Sequence, residues 1–275
     1  MLQVEDDGAV VKFCAARPFF GRPWYRTAAY WVDGLLIDTT CAHTARELLE
    51  ATAARPLAQI VNTHCHEDHI GANGLLQRRR GPAILAHPLA LPVLADPHRQ
   101  YLQLYRRVFW GRPEPSHGRP LGEWVETERR RFRVIPTPGH APDHICLYEP
   151  AEGWLFSGDA YIGGRDLAAR PDYDLYAIIE SLKQLAALPL SRLYPASGTV
   201  RAHNPAAELQ RKIAQMEEMA AEVRRLHEQG LSVGAIQRRL LGREGQIACL
   251  TLGHFRGRYL IEGYLRERPA AKSAS

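Results

Sequence analysis

Three imidazoles and two carboxylates fall within His64-Cys65-His66-Glu67-Asp68-His69. That density of ligating groups is the strongest constraint on what this chain can fold into. The apolar run Gln59-Ile60-Val61-Asn62 leads straight into the cluster, so the cluster reads as the end of a buried strand. Neutral imidazole is the commonest metal ligand, and a carboxylate suits a harder or catalytic ion. Alternate residues of an extended chain point the same way, so His64 and His66 can face one ion while Cys65 points away. The chain then turns into a helix that starts around Ile70-Gly71-Ala72-Asn73-Gly74, and Asp68 and His69 swing towards a neighbouring position. A lone histidine here would read as a hydrogen-bonded turn residue; a cluster of His and Asp reads as a metal site.

A chain of 275 residues, 45% hydrophobic, can bury a large core. The segment Met1 to Asp7 is acidic and lacks the basic and apolar regions of a secretory signal. No apolar run approaches the ~20 residues of a membrane span. The five cysteines are scattered and odd in number, and they read as small buried hydrophobes in a reducing compartment. The expectation is a cytoplasmic protein without a membrane partner. Charge is uneven: residues 201–275 hold 13 Lys and Arg against 8 Asp and Glu, which accounts for the whole net +5. A basic segment can attract nucleic acid, or it can be a set of solvated helix faces.

Strands are expected over 10–16 and 28–38, the second a pair turning at Asp33-Gly34, because Asp-Gly between apolar runs is a hairpin signal. A helix is expected over 43–54, then the metal strand, a helix over 70–79 and a strand over 83–87 that ends on His87. Pro92, Pro97, Pro113, Pro115 and Pro120 break residues 88–125 around one aromatic helix, 101–110. Tyr101, Tyr105, Phe109 and Trp110 could form a substrate wall, or could pack an ordinary helix on the sheet. Further strands are expected at 131–135, 144–148, 154–156 and 193–195, with a helix over 172–188. Pro205 and Gly230 bracket a long polar helix over 206–229. A second helix capped by Ser232 and a third over 251–267 follow, and the tail 269–275 is expected to be disordered.

The cluster resembles the HxHxDH signature of the metallo-β-lactamase-fold hydrolases. Thr137-Pro138-Gly139-His140 is similar to that family's next metal motif, and Phe156-Ser157-Gly158-Asp159 to its bridging aspartate. Asp38-Thr39-Thr40 resembles its Asp-Thr-Gly, whose aspartate supports the metal loops. The resemblance covers residues 8–205. One motif departs: where the family carries Pro-Gly-His-Gly, this chain reads Pro195-Ala196-Ser197-Gly198, with Ser197 in the place of the last histidine. The resemblance implies a four-layer αββα sandwich for residues 1–204, with 205–268 as a helical C-terminal domain, a winged-helix-like unit being one form it could take. Similar helical appendages occur on thioesterase-, glyoxalase II- and endoribonuclease-like branches, where they shape the cleft or a homodimer face.

The resemblance further implies a first metal on His64, His66 and His140, reached by Asp159, and a second on Asp68, His69 and Asp159. Zinc is expected, one ion held firmly and the second weakened by Ser197, with iron or manganese as alternatives. The missing ligand could come from His144 or His203, or Asp68 could act as a catalytic general base beside a single ion. The implied function is a metal-dependent hydrolase that uses a metal-bound hydroxide on an ester, thioester or lactone of a small organic substrate. The alternatives are a phosphodiesterase or ribonuclease of the same fold, a mononuclear iron oxygenase, and a non-catalytic metal-binding regulatory protein.

Overall fold

A computed structural model of the chain describes residues 1–19 and 22–266. The tail 269–275 lies outside the described residues. Seven strands form one sheet in sequence order: β1 (Leu2–Asp6), β2 (Val11–Phe19), β3 (Arg22–Val32), β4 (Leu35–Ile37), β5 (Gln59–Val61), β6 (Ala83–Ala86) and β7 (Gly118–Pro120). The first four pair antiparallel and the rest run parallel, because β4, β5 and β6 are linked through helical connections. Those connections carry α1 (Ala45–Ala51) and α2 (Asn73–Arg80). The Asp33-Gly34 turn has positive φ at both residues, 49° and 80°, as a two-residue hairpin requires.

The second sheet runs β12 (Arg192–Pro195), β11 (Trp154–Gly158), β10 (Ile145–Glu149), β9 (Arg131–Pro136), β8 (Trp124–Glu126). Alternation along these strands decides the layers. Ile145, Leu147, Trp154 and Phe156 meet Tyr30, Val32, Ile37 and Val61 of the first sheet, and this cluster fills the space between the sheets. Cys146, Tyr148 and Leu155 face the other way, onto α5 (Leu175–Ala186) and α6 (Pro205–Glu228). On the outer face of the first sheet, Phe13, Leu36, Ile60 and Ile84 pack against Leu48 and Leu76 from α1 and α2. The result is the four-layer αββα sandwich.

α6 starts at Pro205 with Asn204 as its cap, the Asn204 Oδ1 accepting from the Ala207 N–H at 3.2 Å. Beyond it come α7 (Val233–Leu241), α8 (Gln246–Leu250) and α9 (Gly257–Leu265). Of the helix expected over 251–267 only α9 forms, and α8 lies before it. Leu252 and Gly253 adopt left-handed backbone (φ 50° and 80°), which ends α8 and keeps the chain non-helical up to α9. Among the described residues no strand hairpin follows α7, so this segment carries no wing. Leu209, Val223, Ile236, Leu260 and Tyr264 share one buried cluster with the second sheet. The insertion between β6 and β7 holds α3 (Leu91–Ala95) and α4 (Leu104–Phe109). α4 begins later than the expected helix, and Tyr101 stays 80% exposed. Among the described residues no helix is long and apolar enough to cross a membrane.

Candidate metal centre

The site lies where β5 ends. Asp38, just after β4, organises it from a left-handed backbone (φ 61°), a conformation that a non-glycine residue keeps only when its surroundings demand it. Its Oδ1 accepts the Thr63 N–H at 2.8 Å, and its Oδ2 accepts the Thr63 Oγ1–H at 2.8 Å. The same Oδ2 lies 2.7 Å from His69 Nδ1. Thr63 Oγ1 has then given its proton away, so it accepts from His64 Nδ1, 3.1 Å distant. One carboxylate therefore orients both rings, and His64 turns an Nε2 lone pair towards the centre. His69 turns its Nε2 there too. Against burial, the carboxylates of Asp38, Asp68 and Asp159 hold its imidazole well above its ordinary range until a cation displaces the proton.

Three nitrogens converge there. His64 Nε2 is 2.8 Å from His66 Nδ1, and His140 Nε2 is 3.0 Å from the same atom. Asp159 Oδ2 lies 3.3 Å from His140 Nε2 and 3.6 Å from His69 Nε2, between the two groups. His69 Nε2 is buried and has no hydrogen-bond partner. Converging lone pairs and an orphaned buried nitrogen are what a cation would satisfy, so the donor set fits a metal. His64, His66 and His140 could hold one ion, and His64, His69 and Asp159 form a second donor group. Burial holds the His64 and His66 imidazoles well below their ordinary range and lowers His140 to about 4. They are therefore neutral near neutral pH, as ligands must be.

Asp68 stands beside the second group, its Oδ2 3.7 Å from His69 Nε2. Burial raises its carboxyl to about 6 against the pull of His69, with Glu67 and Asp159 adding to the rise. The hydroxyl of Tyr25 donates to that Oδ2 at 2.9 Å, and Thr27 Oγ1 donates to the Asp68 carbonyl at 3.1 Å. Tyr25 was not singled out from the sequence, since a tyrosine on a strand reads as ordinary β composition.

Of the two candidates for a replacement ligand, neither joins the donor groups. His144 uses both ring nitrogens: Nε2 accepts the Asp159 N–H at 3.0 Å, and Nδ1 lies 2.8 Å from Thr137 Oγ1. Burial lowers it to about 3, so it is a neutral support for the Asp159 turn. Gly158 makes that contact feasible, because a Cβ there would lie 2.8 Å from His144 Nε2. His203 is exposed in the turn before α6 and does not line the cleft. Ser197 follows Ala196, whose N–H donates to Gly158 O at 3.0 Å and so ties this turn to the one carrying Asp159. Cys65 packs outward with the α1–α2 layer, and its N–H donates to Asp143 Oδ2 at 2.7 Å.

A cleft of about 200 Å³ opens on these groups. Tyr105, Phe109 and Trp110 from the α4 insertion form one wall, and Ile247, Leu250 and Phe255 from the C-terminal segment form the other. The two walls touch where Tyr105 Oη meets His254 Nδ1 at 2.6 Å. The insertion is anchored to the metal loop by Arg106, which donates from Nε to Glu67 Oε1 at 2.6 Å and pairs again through its second nitrogen, both side chains being buried. Arg170 also lines the cleft, with one NH1 3.2 Å from His66 Nε2.

The model of the metallo-β-lactamase superfamily matches residues 22–197, almost two thirds of the chain. The chain belongs to the metallo-β-lactamase superfamily. Among curated relatives, the atrochrysone carboxyl ACP thioesterase AacuM of Aspergillus aculeatus is 27% identical over 224 residues, covering 80% of this chain and 61% of that protein. The chain spans about half the length of the curated fungal relatives it matches, from 37% to 61% of each. Among solved structures, a β-lactamase domain protein from Burkholderia ambifaria superposes with a TM-score of 0.70 at 21% identity, over 95% of this chain and 86% of that one. TTHA1623, solved in a di-iron-bound form, is 30% identical with a TM-score of 0.52, over 69% of this chain and 94% of that one. The superfamily fold thus places the HxHxDH loop, His140 and Asp159 around one centre in this chain.

Proposed function

We propose that the protein is a metal-dependent hydrolase that cleaves a thioester or ester of a small, largely apolar acyl group. The observation that carries this reading is the aromatic cleft that opens directly onto the converging imidazoles. A polyanion would have to desolvate its phosphates against Tyr105, Phe109, Trp110 and Phe255. The thioesterase named among the relatives supports the same bond type. Three imidazoles suit zinc or iron. Such an ion supplies an acidified water for attack at neutral pH and polarises the scissile carbonyl. His64, His66 and His140 are its holders, and Asp159 stands between that group and His69. Asp68, held by Tyr25 and raised to about 6, is placed to take or return a proton near neutral pH. His69 and Asp159, with Asp68 beside them, would hold a second ion more weakly, since Ser197 stands where the resemblance expects an imidazole. The two aromatic walls bury the acyl group and exclude bulk water.

Protein reloaded in turn with zinc, iron and manganese should be offered an aromatic acyl thioester, the matching ester and lactone, and a phosphodiester. Turnover of the thioester or ester, with the phosphodiester at background, is expected. Cleavage of the phosphodiester alone would overturn the reading in favour of a nuclease-like enzyme.

A further inference from the structure

Arg170 is a charged side chain that the hydrolytic chemistry above leaves without a task. It is 8% exposed and lines the cleft, whose polar floor also holds His66, Asp68, His140 and Asp159 beneath the aromatic walls. Its loop is held from outside. Ala169 and Arg256 exchange both backbone hydrogen bonds, at 3.0 and 3.1 Å, and Arg266 donates to the carbonyls of Pro171 and Tyr173. The C-terminal segment therefore fixes where this guanidinium stands. Nε and NH2 bind the two oxygens of Asp172 at 3.0 and 2.6 Å, which leaves NH1 directed at His66 Nε2.

The two ends of His66 have different roles. Its Nδ1 is the atom that meets His64 and His140. A neutral imidazole that ligates through Nδ1 carries its proton on Nε2. An Nε2–H cannot accept from a guanidinium, so both groups become donors converging on one spot. Among the described residues the carboxylate paired with Arg170 is Asp172, and both its oxygens are engaged by Nε and NH2. Two buried donors that face each other need an acceptor between them, and a guanidinium N–H binds an anionic oxygen more strongly than a neutral one. That spot is one imidazole ring away from the donor cluster, so the acceptor belongs to the substrate close to its scissile carbonyl.

We propose that Arg170, with His66 Nε2–H, binds a carboxylate carried by the acyl group beside the bond to be cleaved. The inference rests on the hydrolase reading above and names its substrate class, an acyl thioester or ester with an adjacent acid and an apolar remainder. Arg170 selects that acid, while the aromatic walls take the remainder.

The test uses full-length zinc-loaded protein and two pairs of ligands. The first pair is a phenylpropanoyl thioester and the same thioester with a carboxylate on its α-carbon. The second is the corresponding free acids, phenylpropanoate and benzylmalonate, whose binding is read by calorimetry. Wild type should prefer the carboxylated member of each pair. Arg170→Met should reduce that preference about ten- to hundredfold, in kcat/KM and in Kd alike, with Arg170→Lys in between. Bound zinc, measured alongside, should stay at the wild-type level in both variants. An unchanged preference in Arg170→Met would overturn the assignment. So would loss of zinc in Arg170→Met with the preference intact in Arg170→Lys, which would make Arg170 a support of the metal loop. If neither thioester is cleaved but benzylmalonate binding depends on Arg170, the hydrolase reading fails and the recognition site stands.

Discussion

Two carboxylates, Asp38 and Asp159, set the electrostatics of the centre from opposite sides. Asp38 binds Thr63 and His69 and never faces the donor groups, whereas Asp159 stands between His140 and His69. Against burial, the positive charge that the surrounding carboxylates keep on His69 holds the Asp159 carboxyl below its ordinary range, so it remains ionised. Both residues were legible in the sequence because each lies in a short local motif. Tyr25 and Arg170 were not, since each reaches the site from a strand or loop that no local spacing connects to the histidines. Ser197 stands where the resemblance expects a histidine, and neither His144 nor His203 joins the donor groups. Ser197→His should therefore raise bound metal from about one towards two ions per chain, read by elemental analysis after dialysis, because it adds an imidazole ligand at about 2.0–2.1 Å where a hydroxyl binds poorly. An unchanged count would show that the turn after β12 does not face the second donor group.

Among the elements, α4 has the largest consequence for the cleft, and its six residues give it little helical stability of its own. It is held in place by the buried pair of Arg106 with Glu67, which joins it to the loop between His66 and Asp68. Removing one partner leaves the other charge buried alone, at a cost of about 3–5 kcal/mol, whereas removing both costs less. Arg106→Met and Glu67→Gln should each lower the unfolding free energy by that order, and the double variant should recover part of the loss. Additive losses, measured by denaturant unfolding, would show that the two side chains do not act as a pair. The sequence revealed an aromatic helix in this insertion but left open which way it faced. Its 3.6 period is hard to read over so few residues between prolines. The pairing of Arg106 with Glu67, 39 residues apart in the chain, resolves the matter by turning Tyr105 and Phe109 inwards and leaving Leu104 and Val108 exposed. The short strands β7 and β8 escaped notice for a similar reason, because three residues carry no period.

Across the whole molecule, the helices after residue 204 are packed into the same buried cluster as the second sheet, and they also wall the cleft and hold the Arg170 loop. The basic composition of this segment drew attention to polyanions, yet Arg225 and Arg258 are engaged with Glu222 and Glu262 on its own surface. Composition reports charge but not pairing, and pairing needs the fold. The layered sandwich was readable because alternating apolar strands and bracketed helices recur along the chain. The cleft was not, since its walls are assembled from segments more than 130 residues apart, such as Tyr105 and His254, 149 residues apart. The central claim is that the converging imidazoles hold the ion on which acyl hydrolysis depends. The most direct measurement is release of free thiol from an aromatic acyl thioester while stripped protein is titrated with zinc. The rate should be at background without metal, rise in proportion to the first equivalent bound, and stay at background throughout in His66→Ala. Turnover by the stripped protein, or a rate in His66→Ala that climbs with zinc as wild type does, would contradict it.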